Sequence, residues 1–443
     1  MNLFNKLQQR AEAGQPIRIG MIGAGKFGTM FLAQARSVPG IHVVGIVELR
    51  PEIARSNLTF VGWPKEQFSA TDLNDAVTHG TTFIGDDWPA LIRHSSIQIV
   101  VECTGNPIAA VDHCLIAFSE GKHIINVTVE ADAFCGVGLA AKARAAGVIY
   151  SMAYGDQPAL TAELVDWARA SGFNVTAAGR GHKWLPHYRK STPDTIWEHW
   201  GLTQEQAERG RLNPKMFNAF LDGSKPAIES AAIANATGLD APTGGLAFPP
   251  GSVDDIPTLM RPKSEGGELE RKGLVEVISC LTRDGDPIPY DIRKGVWVCF
   301  EANTEYLKNC FEEYKWTTDP SGRYMCLYKR WHMIGLEFAI SIASVGLRDE
   351  ATGAAKSFRA DVAAIAKRDL QASEVLDGEG GYTVSGGLRP ADISMANGYL
   401  PLGLAHDVRL KNAVADGQPL TWDDVAVDET TSAYKLRREM EAG

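Results

Sequence analysis

Three glycines at G-x-G-x-x-G spacing, Gly23, Gly25 and Gly28, stand between two apolar runs, Ile17–Ile22 and Ile41–Val47, and the second run ends on a carboxylate, Glu48. That combination suits a dinucleotide. Gly23 would make the tight strand-to-helix turn, Gly25 would let the backbone approach a pyrophosphate with no Cβ in the way, and Gly28 would let the helix pack closely on the strand. With Ala24, Lys26 and Phe27 between them, these glycines would form a loop whose free N–H groups, at a helix N-terminus, take the phosphates. Glu48 is placed to accept the hydroxyls of the adenosine ribose and to repel a 2′-phosphate, which favours NAD. Arg50, two residues on, could turn inward and hold that phosphate, so NADP stays as the alternative.

Hydride transfer at a carbinol carbon needs a proton carrier at the oxygen. Lys183, in Arg180-Gly181-His182-Lys183-Trp184, follows a strand-like run. A lysine half-buried among other cations has its pKa lowered toward neutrality and can shuttle a proton, an effect worth ~10²–10⁴ in rate. The competing reading is a solvated lysine on a loop. Asp222, Lys225 and Glu229 form a second cluster, in which Lys225 and Glu229 share one helix face and Asp222 precedes the helix as a cap. Spacing alone allows either a cap with a surface ion pair or a substrate-holding proton relay. Asn235, further along the same helix, is either a donor to substrate or a helix-end residue. Glu130 and Asp156 each follow a strand-like run, at the carboxyl edge where open α/β sheets bind ligands, and either could fix the nicotinamide or substrate hydroxyls. With Glu229 they could instead hold a divalent metal, although no metal-spaced motif accompanies them. The stretch from Lys183 to Thr192, with His187, Tyr188, Arg189, Lys190 and Ser191, carries cations and hydroxyls suited to a phosphate or carboxylate, or to a solvated lid.

These residues need a scaffold of alternating strands and helices, and the patterning supplies one. Ile97–Val101 reads as a buried strand, followed by Cys103, Thr104, Gly105 and Asn106 as a cofactor loop and a helix to Glu120. His123–Val129 reads as the next strand, Gly136–Ala146 as a helix and Val148–Tyr154 as a strand. Strands at helix-length intervals imply βαβ units and a parallel sheet. Residues 1–157 are therefore expected to be a Rossmann dinucleotide-binding domain. Residues 158–357, with strands near 174–178, 275–281, 296–302 and 324–328, are expected to be an α+β catalytic domain, closed by a returning helix over 334–345. The Pro- and Gly-rich stretch 241–272 reads as a long functional or mobile loop. Residues 358–443, rich in short apolar pairs, Gly and Asp, are expected to form a small all-β unit without a catalytic cluster, shaping assembly or access while the chemistry is completed before it.

At 443 residues the chain exceeds a single core, and 44% hydrophobic with 22% charged residues is ordinary globular composition. The net charge of −10 is spread along the chain and argues against a nucleic-acid partner. No run approaches the ~18 apolar residues of a membrane span, and the first ten residues lack the apolar core of a secretory signal. The seven cysteines include no C-x-x-C pair and read as buried small hydrophobes of a reducing cytoplasm.

The glycine fingerprint together with Val100-Val101-Glu102-Cys103-Thr104-Gly105-Asn106-Pro107 resembles the homoserine-dehydrogenase-like NAD-binding domain. Over its whole length the chain resembles the reductoisomerase-like oxidoreductases, related to 1-deoxy-D-xylulose 5-phosphate reductoisomerase, that carry a C-terminal SAF domain. The residues behind that resemblance are Asn126-Val127-Thr128-Val129-Glu130-Ala131-Asp132, Gly155-Asp156-Gln157-Pro158, Phe220-Leu221-Asp222-Gly223-Ser224-Lys225 and Ala234-Asn235-Ala236-Thr237-Gly238, with Ile365-Ala366-Lys367-Arg368-Asp369-Leu370 and Pro401-Leu402-Gly403 in the tail. The resemblance implies a lysine proton carrier at Lys183 and a substrate-binding role for Asp222, Lys225 and Glu229. The expected substrate is a small polyhydroxylated acid, a ketose or their phosphate, oxidised or reduced with or without a coupled isomerisation, and the expected assembly is a homo-oligomer. Members that use NADPH are expected to carry a basic cluster after the second strand, where this chain has Glu48. The reading from another class is a dinucleotide-sensing binding protein with the SAF unit as an interaction module.

Overall fold

Short runs of β-branched residues that can be buried on both faces become the strands of a parallel sheet in the computed structural model, which describes residues 2–210 and 212–442. Six strands, β1 (Ile17–Ile22), β2 (Ile41–Val47), β3 (Phe83–Gly85), β4 (Ile99–Glu102), β5 (His123–Asn126) and β6 (Tyr150–Met152), are ordered β3-β2-β1-β4-β5-β6. Every pairing is parallel, with Ile19 opposite Val43 on one side and Ile99 on the other. This is the doubly wound Rossmann order, whose direction reverses between β1 and β4, where such sheets bind dinucleotides. The N-terminal part is therefore the expected Rossmann sheet. β3 was not legible in the sequence, because its three residues are too few to show a period. The strand expected to run to Val129 stops at Asn126, and the following helix starts at Val129. Glu130 thus lies in the first turn of a helix, where a carboxylate complements the dipole.

Chain contacts group the protein into two compact units. The first comprises Met1–Ala159, Met333–Ala355 and Lys435–Gly443, and the second Leu160–His332 and Lys356–Tyr434. The grouping follows burial rather than chain order, unlike the three consecutive stretches read from the sequence. The returning helix, Ala339–Arg348, places Ile342 and Val345 in the first unit's core with Ile19 and Phe31. The Phe338 ring meets Phe27 and Phe31 edge-on, at 5.0 Å in each case. At the C-terminal end, buried Arg437 donates to the Phe134 carbonyl at 3.0 Å, so the final helical residues also join this unit.

The second unit is built on β7 (Asn174–His182), β8 (Leu274–Ser279), β9 (Val296–Glu301) and β10 (Tyr324–Lys329), ordered β10-β9-β7-β8 with only β7 and β8 parallel. The helix Ser224–Thr237 is rich in Ala and buried almost throughout, so it can pack on several elements at once. It contacts β8, β11 (Ala360–Ala366) and, further along the chain, β13 (Val384–Pro390). Together with β12 (Val375–Asp377), β14 (His406–Leu410) and β15 (Val425–Ala426), these form two small antiparallel sheets, β11-β13 and β12-β14-β15. Asn235 ties the helix to β11, accepting the N–H groups of Arg359 and Ala360 at 2.8 and 3.0 Å and donating to the Ala360 carbonyl at 3.1 Å. The stretch 241–272 is a long loop with two short helical turns, Ile256–Leu259 and Lys263–Glu265, and its Leu246, Phe248, Val253, Ile256 and Met260 are buried. No described helix is long and apolar enough to cross a membrane.

Candidate active site

The glycine turn has the geometry its spacing implied. Gly23 has φ +98°, and a Cβ there would lie 2.7 Å from the Cys103 carbonyl oxygen, so only glycine lets β1 and the loop after β4 close up. Gly25 precedes the helix Lys26–Ala35, and a Cβ on it would meet nothing within 4 Å. At Gly28 a Cβ would come within 3.3 Å of the Gly23 carbonyl, which explains the close helix packing. Lys26 is exposed and Phe27 half-buried on the first turn of that helix. Glu48, half-buried at the end of β2, accepts the Ala24 N–H at 2.9 Å. Arg50 is exposed one turn of chain further on. The loop therefore leaves open space at Gly25 with a carboxylate fastened beside it, a cradle that fits a pyrophosphate and a ribose. Cys103 is buried and donates its thiol to the Gly23 carbonyl at 3.1 Å. Burial, with Glu102 and Glu48 adding to it, pushes this thiol up well above the usual range, so it packs rather than reacts.

Across the switch point the exposed loop Thr104–Asn106 is held from beneath. Glu102, fully buried at the end of β4, accepts from the Thr104 hydroxyl at 2.5 Å and from the Thr128 hydroxyl, and lies 3.3 Å from His113 Nδ1. Thr128 Oγ1 in turn accepts the Gly105 N–H at 3.0 Å. Asn106 caps the helix Pro107–Ser119 through Ile108 and Ala109, at 3.1 Å each. Below this, Asn126 donates to the Tyr150 hydroxyl at 3.0 Å, which donates to Asp132 Oδ1 at 2.8 Å. Burial raises the Asp132 carboxyl from 3.8 to about 7, against the Tyr150 hydrogen bond that favours its charge. Glu130 and Asp156 are both buried in this unit, Asp156 accepting the Gln157 N–H at 2.9 Å.

In the second unit, Lys183 follows β7 and is half-buried, with Nζ donating to the His199 carbonyl at 2.5 Å. Burial lowers its pKa and the neighbouring Arg293 lowers it further, while Cys280 acts in the opposite sense. Asp222 is fully buried: its Oδ1 accepts the Ser224 N–H at 2.9 Å and its Oδ2 lies 2.7 Å from Lys367 Nζ. Burial raises its pKa against the pull of Lys367. Lys225 is half-buried on the first turn of the helix Ser224–Thr237. One turn on, the Glu229 carboxylate is buried against the guanidinium of Arg180 on β7. Beyond Arg180, His182 donates from Nε2 to the Phe220 carbonyl at 2.7 Å, and burial with Arg180 holds it well below its ordinary pKa, hence neutral. Asn235 is committed to backbone groups of β11, which removes it from the donors available to a ligand.

Residues 155–338 match the family described as "Oxidoreductase DRL, catalytic domain". The match marks the protein as an enzyme. No curated protein matches the chain. Among solved structures, a DOX-P reductoisomerase in complex with magnesium is 12% identical with a TM-score of 0.33, the alignment covering 51% of this chain and 58% of that one. The WlbA dehydrogenase from Bordetella pertussis, in complex with NADH and UDP-GlcNAcA, is 15% identical with a TM-score of 0.27, covering 38% and 48%. A 3-ketoreductase from Actinomadura kijaniata in complex with NADP is 17% identical with a TM-score of 0.25, covering 38% and 49%. These alignments span about half the length of each solved structure.

Several residues around these sites were not singled out from the sequence. Lys367 comes from the tail that was expected to carry no part of the cluster, and it stands on Asp222 because β11 packs against the helix that follows Asp222. Arg180, on β7, takes the Glu229 carboxylate, which turns inward from the helix. Glu102 and Thr128 underlie the cofactor loop; both lie in stretches that carry the family resemblance, but neither was given a role of its own. Among the described residues no group of three His, Cys, Asp or Glu side chains is placed to hold a metal ion.

Proposed function

We propose that the protein is a nicotinamide-dependent oxidoreductase that moves a hydride to or from a small polyhydroxylated acid, ketose or sugar phosphate, with NAD as the preferred carrier. The observation that carries this reading is the glycine turn at the β1/β4 switch point, open at Gly25 and bordered by Glu48. The family match over residues 155–338 supports it from the other end of the chemistry. When bound, the nicotinamide supplies or accepts the hydride. Gly23, Ala24, Gly25 and the first turn of the helix Lys26–Ala35 hold the phosphates, and Glu48 takes the ribose. Thr104, Gly105 and Asn106 shape the other side of the dinucleotide, steadied by Glu102 and Thr128.

In this proposal Lys183 carries the proton at the substrate oxygen. Its lowered pKa lets it give and recover a proton near neutrality more readily than a solvated lysine. Asp222, Lys225 and Glu229 organise the substrate surface, with Asp222 and Glu229 acting through Lys367 and Arg180. Glu130 and Asp156 serve the nicotinamide side. The tail is proposed to be SAF-like, and the assembly homo-oligomeric.

The direct test is absorbance of NADH at 340 nm with the full chain, NAD or NADP, and a panel of sugar acids, ketoses and their phosphates. Turnover with one member of the panel is expected, at higher kcat/KM with NAD. Tight dinucleotide binding without hydride exchange across the panel counts for a sensing role instead. Lys183→Ala should cut kcat by at least ~10²-fold with dinucleotide affinity nearly unchanged, because the loss falls on the transition state. Near-normal turnover returns Lys183 to an ordinary loop residue.

A further inference from the structure

The loop Asp222–Ser224 is a hub in the second unit. Gly386 of β13 donates to Ser224 Oγ at 2.8 Å, so the tail is fastened there. The indole Nε1 of Trp184 comes within 3.7 Å of where a Cβ would stand on Gly223. Trp184 is 5% exposed and stacks on Phe248 with centroids 4.2 Å apart, yet its Nε1 has no hydrogen-bond partner. A buried indole N–H left unpaired costs free energy unless a ligand completes it. Over the same ring, at 5.3 Å, lies the guanidinium of Arg189.

A second guanidinium joins it from β13. Arg389 is partly buried and gives one N–H to its neighbour's carbonyl, Leu388, at 2.8 Å. Among the described residues neither Arg189 nor Arg389 has an ion-pair partner. Their proximity is felt electrostatically: after burial, the charge of Arg389 is the largest influence lowering the Arg189 pKa. Asp222 lies close enough to oppose this, but its carboxylate is already matched by Lys367 at 2.7 Å. Two partly desolvated positive charges therefore remain uncompensated beside an unpaired indole donor.

We propose that Trp184, Arg189 and Arg389 form an oxyanion subsite at the start of the helix Ser224–Thr237 that takes the phosphate group of the substrate. Phosphate fits better than carboxylate because three separate donor groups meet three free oxygens, and because two positive charges match a dianion. The subsite rests on the substrate-binding role proposed for this unit, and it narrows the substrate to a phosphorylated one.

The test uses full-length protein labelled with ¹⁵N-tryptophan, whose ten indole N–H resonances are followed during titration with inorganic phosphate at constant ionic strength in chloride. Trp184→Phe assigns the Trp184 resonance. That resonance is expected to shift saturably, Arg189→Met and Arg389→Met are each expected to raise the midpoint ~10-fold or more, and acetate should bind ~10-fold more weakly than phosphate. The other indole resonances report whether each variant is folded. If Arg389→Met is not, Arg389→Lys, which keeps the charge but loses the fork, should raise the midpoint by a smaller factor. An unmoved Trp184 resonance, an unaltered midpoint in the folded arginine variants, or equal binding of acetate overturns the subsite. NADH binding by the same preparations reads the dinucleotide proposal separately, so loss of one leaves the other standing.

Discussion

At Glu48 one carboxylate holds the Ala24 N–H at 2.9 Å and, in the proposed mode of binding, also takes the adenosine ribose. Replacing it removes a repulsion toward a 2′-phosphate and also loosens the loop. Glu48→Ser is therefore expected to lower NAD affinity and to move the ratio of NADP to NAD dissociation constants at least ~10-fold toward NADP, about 1.4 kcal/mol. Equal affinities of the unaltered protein for the two dinucleotides would remove Glu48 as the selector. Asp132 makes a prediction about pH. Its folded pKa of about 7 lies above the ordinary 3.8, so between these values the folded state binds the proton that the unfolded state has released. Stability from this group is thus full below pH ~4 and is lost as pH rises to ~7, by an upper bound of about 4 kcal/mol. Asp132→Asn, which keeps an acceptor for Tyr150, should flatten that slope and leave the variant more stable than the unaltered protein at pH 8. Parallel urea-unfolding curves for the two proteins across this range would sink the assignment.

At the scale of elements, the strand-turn-helix around the glycines separates folding from binding. Gly23 needs its positive φ, and a Cβ would press on the backbone of Cys103, which cannot swing away as a flexible side chain can. Gly23→Ala should cost roughly 1–3 kcal/mol and weaken dinucleotide binding with it. Gly25→Ala meets no atom within 4 Å in the protein, so its Tm should stay unchanged while NAD affinity falls. Thermal melts and NADH fluorescence titrations on the pair read the two effects apart. Full NAD affinity in Gly25→Ala would show that the pyrophosphate does not approach there. The loop Thr104–Asn106 shows a similar division of labour: it is exposed at the surface, and buried Glu102 and Thr128 set its backbone from below.

At the scale of the whole molecule, the tail up to Tyr434 is part of the second compact unit. Lys367 places its three donors on Asp222, the Ser191 carbonyl at 2.9 Å and the Gly381 carbonyl at 2.7 Å, which joins three chain segments in one buried contact. Lys367→Met leaves Asp222 buried without its partner. A loss of about 3–5 kcal/mol in urea unfolding is expected. The loss should shrink as pH falls, because protonating Asp222 removes the unpaired charge. A variant as stable as the unaltered protein at neutral pH would mean that the tail is only loosely attached.

The Rossmann sheet and its glycine turn were legible in the sequence because they rest on local rules: apolar runs of strand length, a glycine at a left-handed turn, and a carboxylate at the end of the next strand. The same rules placed Lys183 after β7 and Asp222 before a helix. They could not say that Glu229 faces Arg180, that Lys367 stands on Asp222, or that Arg389 lies near Arg189. Those neighbours are brought together by packing of the helix Ser224–Thr237 against β7, β8, β11 and β13, and nothing periodic in the chain marks a partner dozens of residues or more away. The boundaries of the units escaped for the same reason. The helix Ala339–Arg348 and the last residues of the chain return to the first core because their apolar faces find cover there, and only the folded chain shows which core covers them.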